Sequence, residues 1–162
     1  MADWRQLTEE APRIAAVFVR RHTATGNLCF LATLRPDGYP RISPMEPAIF
    51  EQQLVLVGMP NTSKFRDLVR DPRFSLHTAT VDPHVCDGDA KVWGRAQDVE
   101  DRGMRERFAE HLFATSGFDV RGQWLPFFVA DLVGASAVEF RDGQLTITTW
   151  KPGQGEQSAP LG

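Results

Sequence analysis

Two cysteines in 162 residues leave no disulfide framework to hold a fold together. Cys29 and Cys86 therefore read as reduced thiols, and the expected location is cytoplasmic. Long apolar runs are also missing. None approaches the ~18 to 20 residues that a membrane-spanning helix needs, so no membrane partner is expected. The opening residues, MADWRQLTEEAPR, lack the basic-then-apolar layout of a secretory signal. There is no basic excess either: 18 Lys and Arg stand against 21 Asp and Glu, a net charge of −3, so no overall field draws in nucleic acid. No G-x-S-x-G elbow is present to support a hydrolase triad, and no G-x-G-x-x-G follows a strand to mark a dinucleotide fold. The run His84-x-Cys86-Asp87-x-Asp89 holds ligand-type residues, but the second pair of a zinc site is lacking, and no metal is expected. His22, His77 and His111 are scattered, so no catalytic residue stands out.

What is present is an ordinary globular balance, 42% hydrophobic and 24% charged, sufficient for one core. Residues 1–152 read as one domain and 153–162, rich in Gly, Pro and polar residues, as a flexible tail. A helix is expected over 8–21, with Thr8 as N-cap and Ile14, Val17 and Phe18 on one face. Strands are expected over 27–34, 39–50 and 53–57. The middle one is an edge or bulged strand, because Pro40, Pro44 and Pro47 exclude an interior position. A short helix over 62–70 turns Phe65, Leu68 and Val69 inward and stops before Pro72. Strands follow over 73–80 and 90–99, the latter with a bulge at Gly94. The clearest helix spans 100–115, with Met104, Phe108 and Leu112 spaced four apart. Two last strands flank the Asp142-Gly143 turn. Short strands joined by tight turns predict an all-β fold with flanking helices: a six- to seven-stranded antiparallel split β-barrel.

The segment GMPNTSKFRDLVRDPRF carries the chemistry. A strand ends at Gly58 and a helix begins near Thr62. Helix N-termini expose free N–H groups and a partial positive charge. This one also brings the hydroxyls of Thr62 and Ser63 and the ammonium of Lys64. A phosphate would find backbone donors, side-chain donors and a cation together, and Gly58 would let the chain approach a ligand closely. An ordinary capped helix with a solvated lysine accounts for the same residues equally well. Upstream, Arg41, Ser43 and Met45 alternate along one strand and so share a face, with an arginine suited to a bidentate grip on phosphate.

Taken in order, LATLRPDGYPRISPMEP, LVLVGMPNTSKFRDLVRDPRFSL, KVWGRAQDVED and FVADLVGASAVEFRDGQLTITTWKPG resemble the pyridoxamine 5′-phosphate oxidase-like split-barrel proteins. The family's D-G-x-P turn falls at Asp37-Gly38-Tyr39-Pro40. Its S-[KR]-x-x-x-L-x-x-[ND]-P-[RK] pattern falls at Ser63 to Arg73. The resemblance spans roughly residues 10–152. It implies a homodimer with two flavin sites at the subunit interface. By position, Arg41, Ile42 and Ser43 would contact FMN from the second strand and Val57 and Gly58 from the third. Thr62, Ser63 and Lys64 would lie at its phosphate, and Lys91 would reach the ring. Trp124 or Trp150 would cover the flavin from the partner chain. The C-terminal WKPGQGEQSAPLG lacks the arginine- and tryptophan-rich segment with which the oxidases proper grip pyridoxamine 5′-phosphate, so another small-molecule substrate is expected. The resemblance thus implies an FMN-dependent oxidoreductase moving a hydride to or from a small organic molecule. The alternatives are a deazaflavin-dependent reductase, with Arg66, Arg70 or Arg73 meeting the longer acidic tail, or a non-catalytic protein binding flavin or haem. For haem, His77 or His84 would be the axial ligand.

Overall fold

Asp3 begins the first helix, its carboxylate accepting the Gln6 N–H at 2.8 Å. The computed structural model describes residues 1–162, and its N-terminal segment holds two helices where one was expected: α1 (Trp4–Glu10) and α2 (Pro12–Ala24). Pro12 separates them, since it has no N–H to return to the Thr8 carbonyl and serves instead as the first residue of α2. Thr8 is therefore not a cap but lies inside α1, bonding back to the Arg5 carbonyl. Ile14, Val17, Phe18, Arg21 and His22 form the buried stripe of α2, which packs on the sheet.

The strands are β1 (Cys29–Leu34), β2 (Pro40–Met45), β3 (Ala48–Phe50), β4 (Gln53–Val57), β5 (Arg73–Thr78), β6 (Asp89–Asp98), β7 (Phe127–Arg141), β8 (Gln144–Trp150) and β9 (Glu156–Pro160). Two further helices, α3 (Ser63–Arg70) and α4 (Arg102–Ser116), precede β5 and β7. The count of nine exceeds the expected six or seven for two reasons. The stretch 39–50 breaks at Glu46 and Pro47 into β2 and β3, and the expected loose tail contributes β9. That last strand pairs with β8 from Trp150↔Glu156 to Thr146↔Pro160, and Glu156 ties it to α2 by accepting the Arg13 N–H at 3.1 Å.

All pairings are antiparallel, in the order β2-β1-β5-β6-β7-β4-β3. The long β7 divides the sheet. Its first residues pair with β4 at Phe127–Val129, and its later ones with β8 at Ala135–Arg141. β6 runs along nearly all of it, with a register shift at Trp93/Gly94 where the bulge was expected. A largely β structure with four helices, parted in this way, is consistent with a split barrel. Leu31, Leu54, Leu56, Leu76, Val92, Ala135 and Trp150 fill the main core against α1 and α2. A second, smaller cluster joins Phe108 of α4 to Val55, Val99 and Phe127. No helix is long and apolar enough to cross a membrane.

Candidate functional site

The edge strand β2 presents Arg41, Ser43 and Met45 on one face, because side chains alternate along a strand. Register pairs them with Thr33, Leu31 and Cys29 of β1, all turned to the interior. Ile42 and Pro44 point to the opposite face, where Ile42 is 73% exposed. The predicted trio from the second strand is therefore divided: Arg41 and Ser43 on one side, Ile42 on the other.

Helix α3 runs against the Arg41 side. Its sequence places Lys64, Asp67 and Leu68 at three- and four-residue spacing, so they share a face. Lys64 Nζ donates to the Pro44 carbonyl at 3.0 Å. One turn on, the buried Asp67 accepts Arg41 Nε at 2.7 Å and the Thr33 hydroxyl at 2.9 Å, both on Oδ2. Its Oδ1 accepts Arg70 Nη2 at 3.1 Å, and the same Arg70 nitrogen also donates to the Leu34 carbonyl. Burial pushes the Asp67 carboxyl up, but the hydrogen bonds from Arg41, Thr33 and Arg70 outweigh it and hold the group below its ordinary value. Val69, expected inward, is 73% exposed, and Asp67 takes the buried place instead.

At the start of α3, Thr62 occupies the N-cap position but makes no side-chain cap. Its hydroxyl turns back to the Met59 carbonyl at 3.4 Å. The N–H groups of the first turn have no intrahelical acceptor by helix geometry, so Ser63, Lys64 and Phe65 present open donors there. Ser63 Oγ accepts Arg66 Nη2 at 3.2 Å. Arg41, Lys64 and Arg70 thus bring positive charge to the side of α3 that faces the β1–β2 hairpin, beside the open N–H groups and with Asp67 the carboxylate they surround. That donor set suits a phosphate.

Other predicted residues lie elsewhere. Gly58 follows β4, and a Cβ built on it would stand 2.8 Å from Phe65 Cε2, so its lack of a side chain admits the Phe65 ring. Val57 packs on the smaller core cluster. Lys91 sits on the outer sheet face in a cross-strand row with Phe30 and His77. Three strand spacings of about 4.8 Å separate it from β2, on the face opposite Arg41. Within one chain it does not join the basic cluster. Trp150 is 2% exposed and donates Nε1–H to Glu10 at 2.8 Å, a core position that cannot cover a ligand. Trp124 is 60% exposed and lies against the Arg105 guanidinium at 4.0 Å. It lines a cleft of about 370 Å³ with Asn61, Thr62, Arg66 and Phe128, on the other flank of α3. A larger opening of about 630 Å³ by Met1, Gln6 and Lys151 shares none of the α3 residues. Arg70 is engaged by Asp67, and Arg73 grips Asp71 at 2.6 Å, which leaves Arg66 the least engaged of the three arginines considered for an acidic tail.

Residues 18–140 match the family model described as pyridoxamine 5′-phosphate oxidase. The chain belongs to the pyridoxamine 5′-phosphate oxidase-like family. Solved structures agree on the fold. An FMN-binding, pyridoxamine 5′-phosphate oxidase-related protein from Nostoc punctiforme superposes with a TM-score of 0.66 at 16% identity, over 100% of this chain and 98% of that one. PhzG from Burkholderia lata, in complex with tetrahydrophenazine-1-carboxylic acid, gives 0.61 at 13% identity over 96% and 95%. A heme-binding protein from Mycobacterium smegmatis gives 0.57 at 18% identity over 90% of this chain and 57% of that one. No curated protein matches the chain in sequence. Membership of the oxidase-like family covers the β2–α3 segment in full, so the cluster of Arg41, Lys64 and Asp67 lies inside the matched region.

Proposed function

We propose that this chain is an FMN-binding oxidoreductase that works as a homodimer in the cytoplasm, with the cofactor phosphate held between β2 and the start of α3. The observation that supports the reading is the donor set itself: Arg41 on β2, Lys64 on α3 and an uncapped first turn lie along the same β2–α3 seam. Arg41, Ser63, Lys64 and the first-turn N–H groups would hold the phosphate. The flavin ring, once bound, supplies the hydride chemistry, which accounts for the absence of an evident acid–base pair in the sequence. Ile42 and Lys91, on the outer sheet face, would serve a ligand held at the interface with a second copy. The substrate would be a small organic molecule over the ring.

The test is titration of purified chain with FMN, followed by fluorescence quenching, for the wild type and Lys64→Ala. Lys64 is a half-buried residue whose one recorded bond goes to a carbonyl. Its removal should weaken FMN binding at least tenfold while thermal unfolding stays unchanged. An unaltered dissociation constant would sink the phosphate assignment, and saturable binding of the deazaflavin coenzyme in place of FMN would move that cofactor to the front.

A haem-binding reading is favoured by one side chain. His77 is half-exposed on the outer face with its ring oriented by a 2.5 Å contact from Nδ1 to the Thr78 carbonyl, an arrangement that steadies a ligating imidazole. A Soret band after haem addition that disappears in His77→Ala would support it.

A further inference from the structure

The strongest unexplained feature beside the basic cluster is a carboxylate within it. A negative charge next to an anion site opposes binding, and burying one is costly unless it is well paired. Asp67 has a side chain only 3% exposed, yet it is fully engaged, by Arg41, Thr33 and Arg70. Its effect on Arg41 is specific. The guanidinium has five donors in a rigid fork. Nε–H is taken by Asp67, and neither Nη group donates to any protein acceptor. Arg41 is thus anchored at one edge and open at the other, on a side chain 25% exposed. A free arginine would lose rotamer freedom on gripping a ligand, and one already fixed loses less. The local charge sum still favours an anion, because Arg41, Arg70 and Lys64 outnumber Asp67.

We propose that Asp67 is a positioning residue that sets selectivity for a phosphorylated over an unphosphorylated ligand, by holding Arg41 with its two Nη groups open to the phosphate. This rests on the reading that the β2–α3 cluster holds a flavin phosphate. It separates two effects of the carboxylate. Its charge repels phosphate whether or not Arg41 is present. Its anchoring of Arg41 helps phosphate only when Arg41 is there. Asp67→Asn removes the charge and weakens the anchor, so its net effect depends on Arg41.

The experiment measures dissociation constants for FMN and for riboflavin, which shares the ring and lacks the phosphate, in the wild type, Asp67→Asn, Arg41→Gln and the double variant. The wild type should prefer FMN. Asp67→Asn should reduce that preference about tenfold, through FMN alone, and in the Arg41→Gln background the same change should leave FMN binding equal or tighter. Equal weakening of both flavins, an unchanged preference, or an equal loss without Arg41 would each reduce Asp67 to a fold-supporting residue and overturn the proposal. A wild type that binds both flavins alike would instead overturn the phosphate reading, and this proposal with it. Should Asp67→Asn fail to fold, Thr33→Val removes one hydrogen bond to the same oxygen without a change of charge. It should lower the preference two- to threefold, and an unchanged ratio would again count against Asp67.

Discussion

The two faces of the sheet from β2 to β7 are built from alternate residues of the same strands, and they differ sharply. On the inner face Cys29, Leu31, Leu76, Val92 and Ala135 are fully buried in the main core, with α3 packed on β1 and α2 on β5, β6 and β7. On the outer face the rows read Ile42, Ala32, Ser75, Trp93, Gly134 and then Pro44, Phe30, His77, Lys91, Ser136. Ile42 is 73% and Phe30 40% exposed, although both are large and apolar. Trp93 packs directly on Gly134, where a Cβ would stand 2.4 Å from its ring, so the glycine is what admits the indole. An alternating strand with one solvated face normally carries polar residues outward. Here the outward residues mix apolar and ionisable groups, with Ile42 and Phe30 the large apolar side chains exposed among them. The difference teaches that the inner face makes the fold, while the outer face is the surface on which the proposed dimer can be tested.

Removing a side chain from each face sharpens that contrast. Leu31→Ala opens a cavity in a fully buried site and should cost about 2–5 kcal/mol. Denaturant unfolding would show the midpoint move with an unchanged slope, and a cost below about 1 kcal/mol would mean that the inner face is not the core it looks to be. Ile42→Asp, on the same hairpin, should change the unfolding free energy of a monomer by no more than about 0.5 kcal/mol. In a homodimer joined through the outer face it would instead bury an unpaired charge. Sedimentation equilibrium should then show the dimer dissociation constant rise at least tenfold. A dimer indifferent to Ile42→Asp, or a wild type that is monomeric, would remove the outer face from the assembly.

How much of this was legible in the sequence differs by element, and the reason is range. β1, β4, the Gly94 bulge and the Asp142-Gly143 turn follow from alternation and turn residues a few positions apart, and the structure has them in these places. The basic character of the α3 start was readable for the same reason. What escaped depends on distant partners. β9 is polar and exposed, held by pairing with β8 and by Arg13, so composition alone marks it as a tail. Asp67, between Arg66 and Leu68, reads as one more solvated helix charge. Its burial is decided by Arg41 and Thr33, 26 and 34 residues upstream. Arg70 at i+3 was the one local hint. The apolar character of Val69 predicts an inward side chain, but α3 lays its Lys64–Asp67–Leu68 face on the β1–β2 hairpin and leaves Val69 outside. The division of β2 into two faces was implicit in alternation. That Ile42 and Lys91 belong to the opposite side from Arg41 requires the register of four strands.

The smallest expected effect concerns the inner face, where α2 meets the sheet. His22 is 7% exposed, stacked on Phe18 at 5.7 Å, and its Nε2 lies 2.7 Å from the Pro47 carbonyl. Desolvation lowers its pKa, and the contact with Pro47 offsets this only in part. The unfolded chain therefore takes up a proton on this residue near its ordinary value of about 6.5, while the folded chain resists it until a lower pH. Across that window the unfolded state binds more protons, so stability must rise with pH. Lowering the pH from about 7.5 toward about 5.5 would accordingly lower the unfolding midpoint, and His22→Gln, which keeps a donor for the Pro47 carbonyl without titrating, should flatten that slope. A slope that survives His22→Gln would assign the pH dependence to a group other than this buried imidazole.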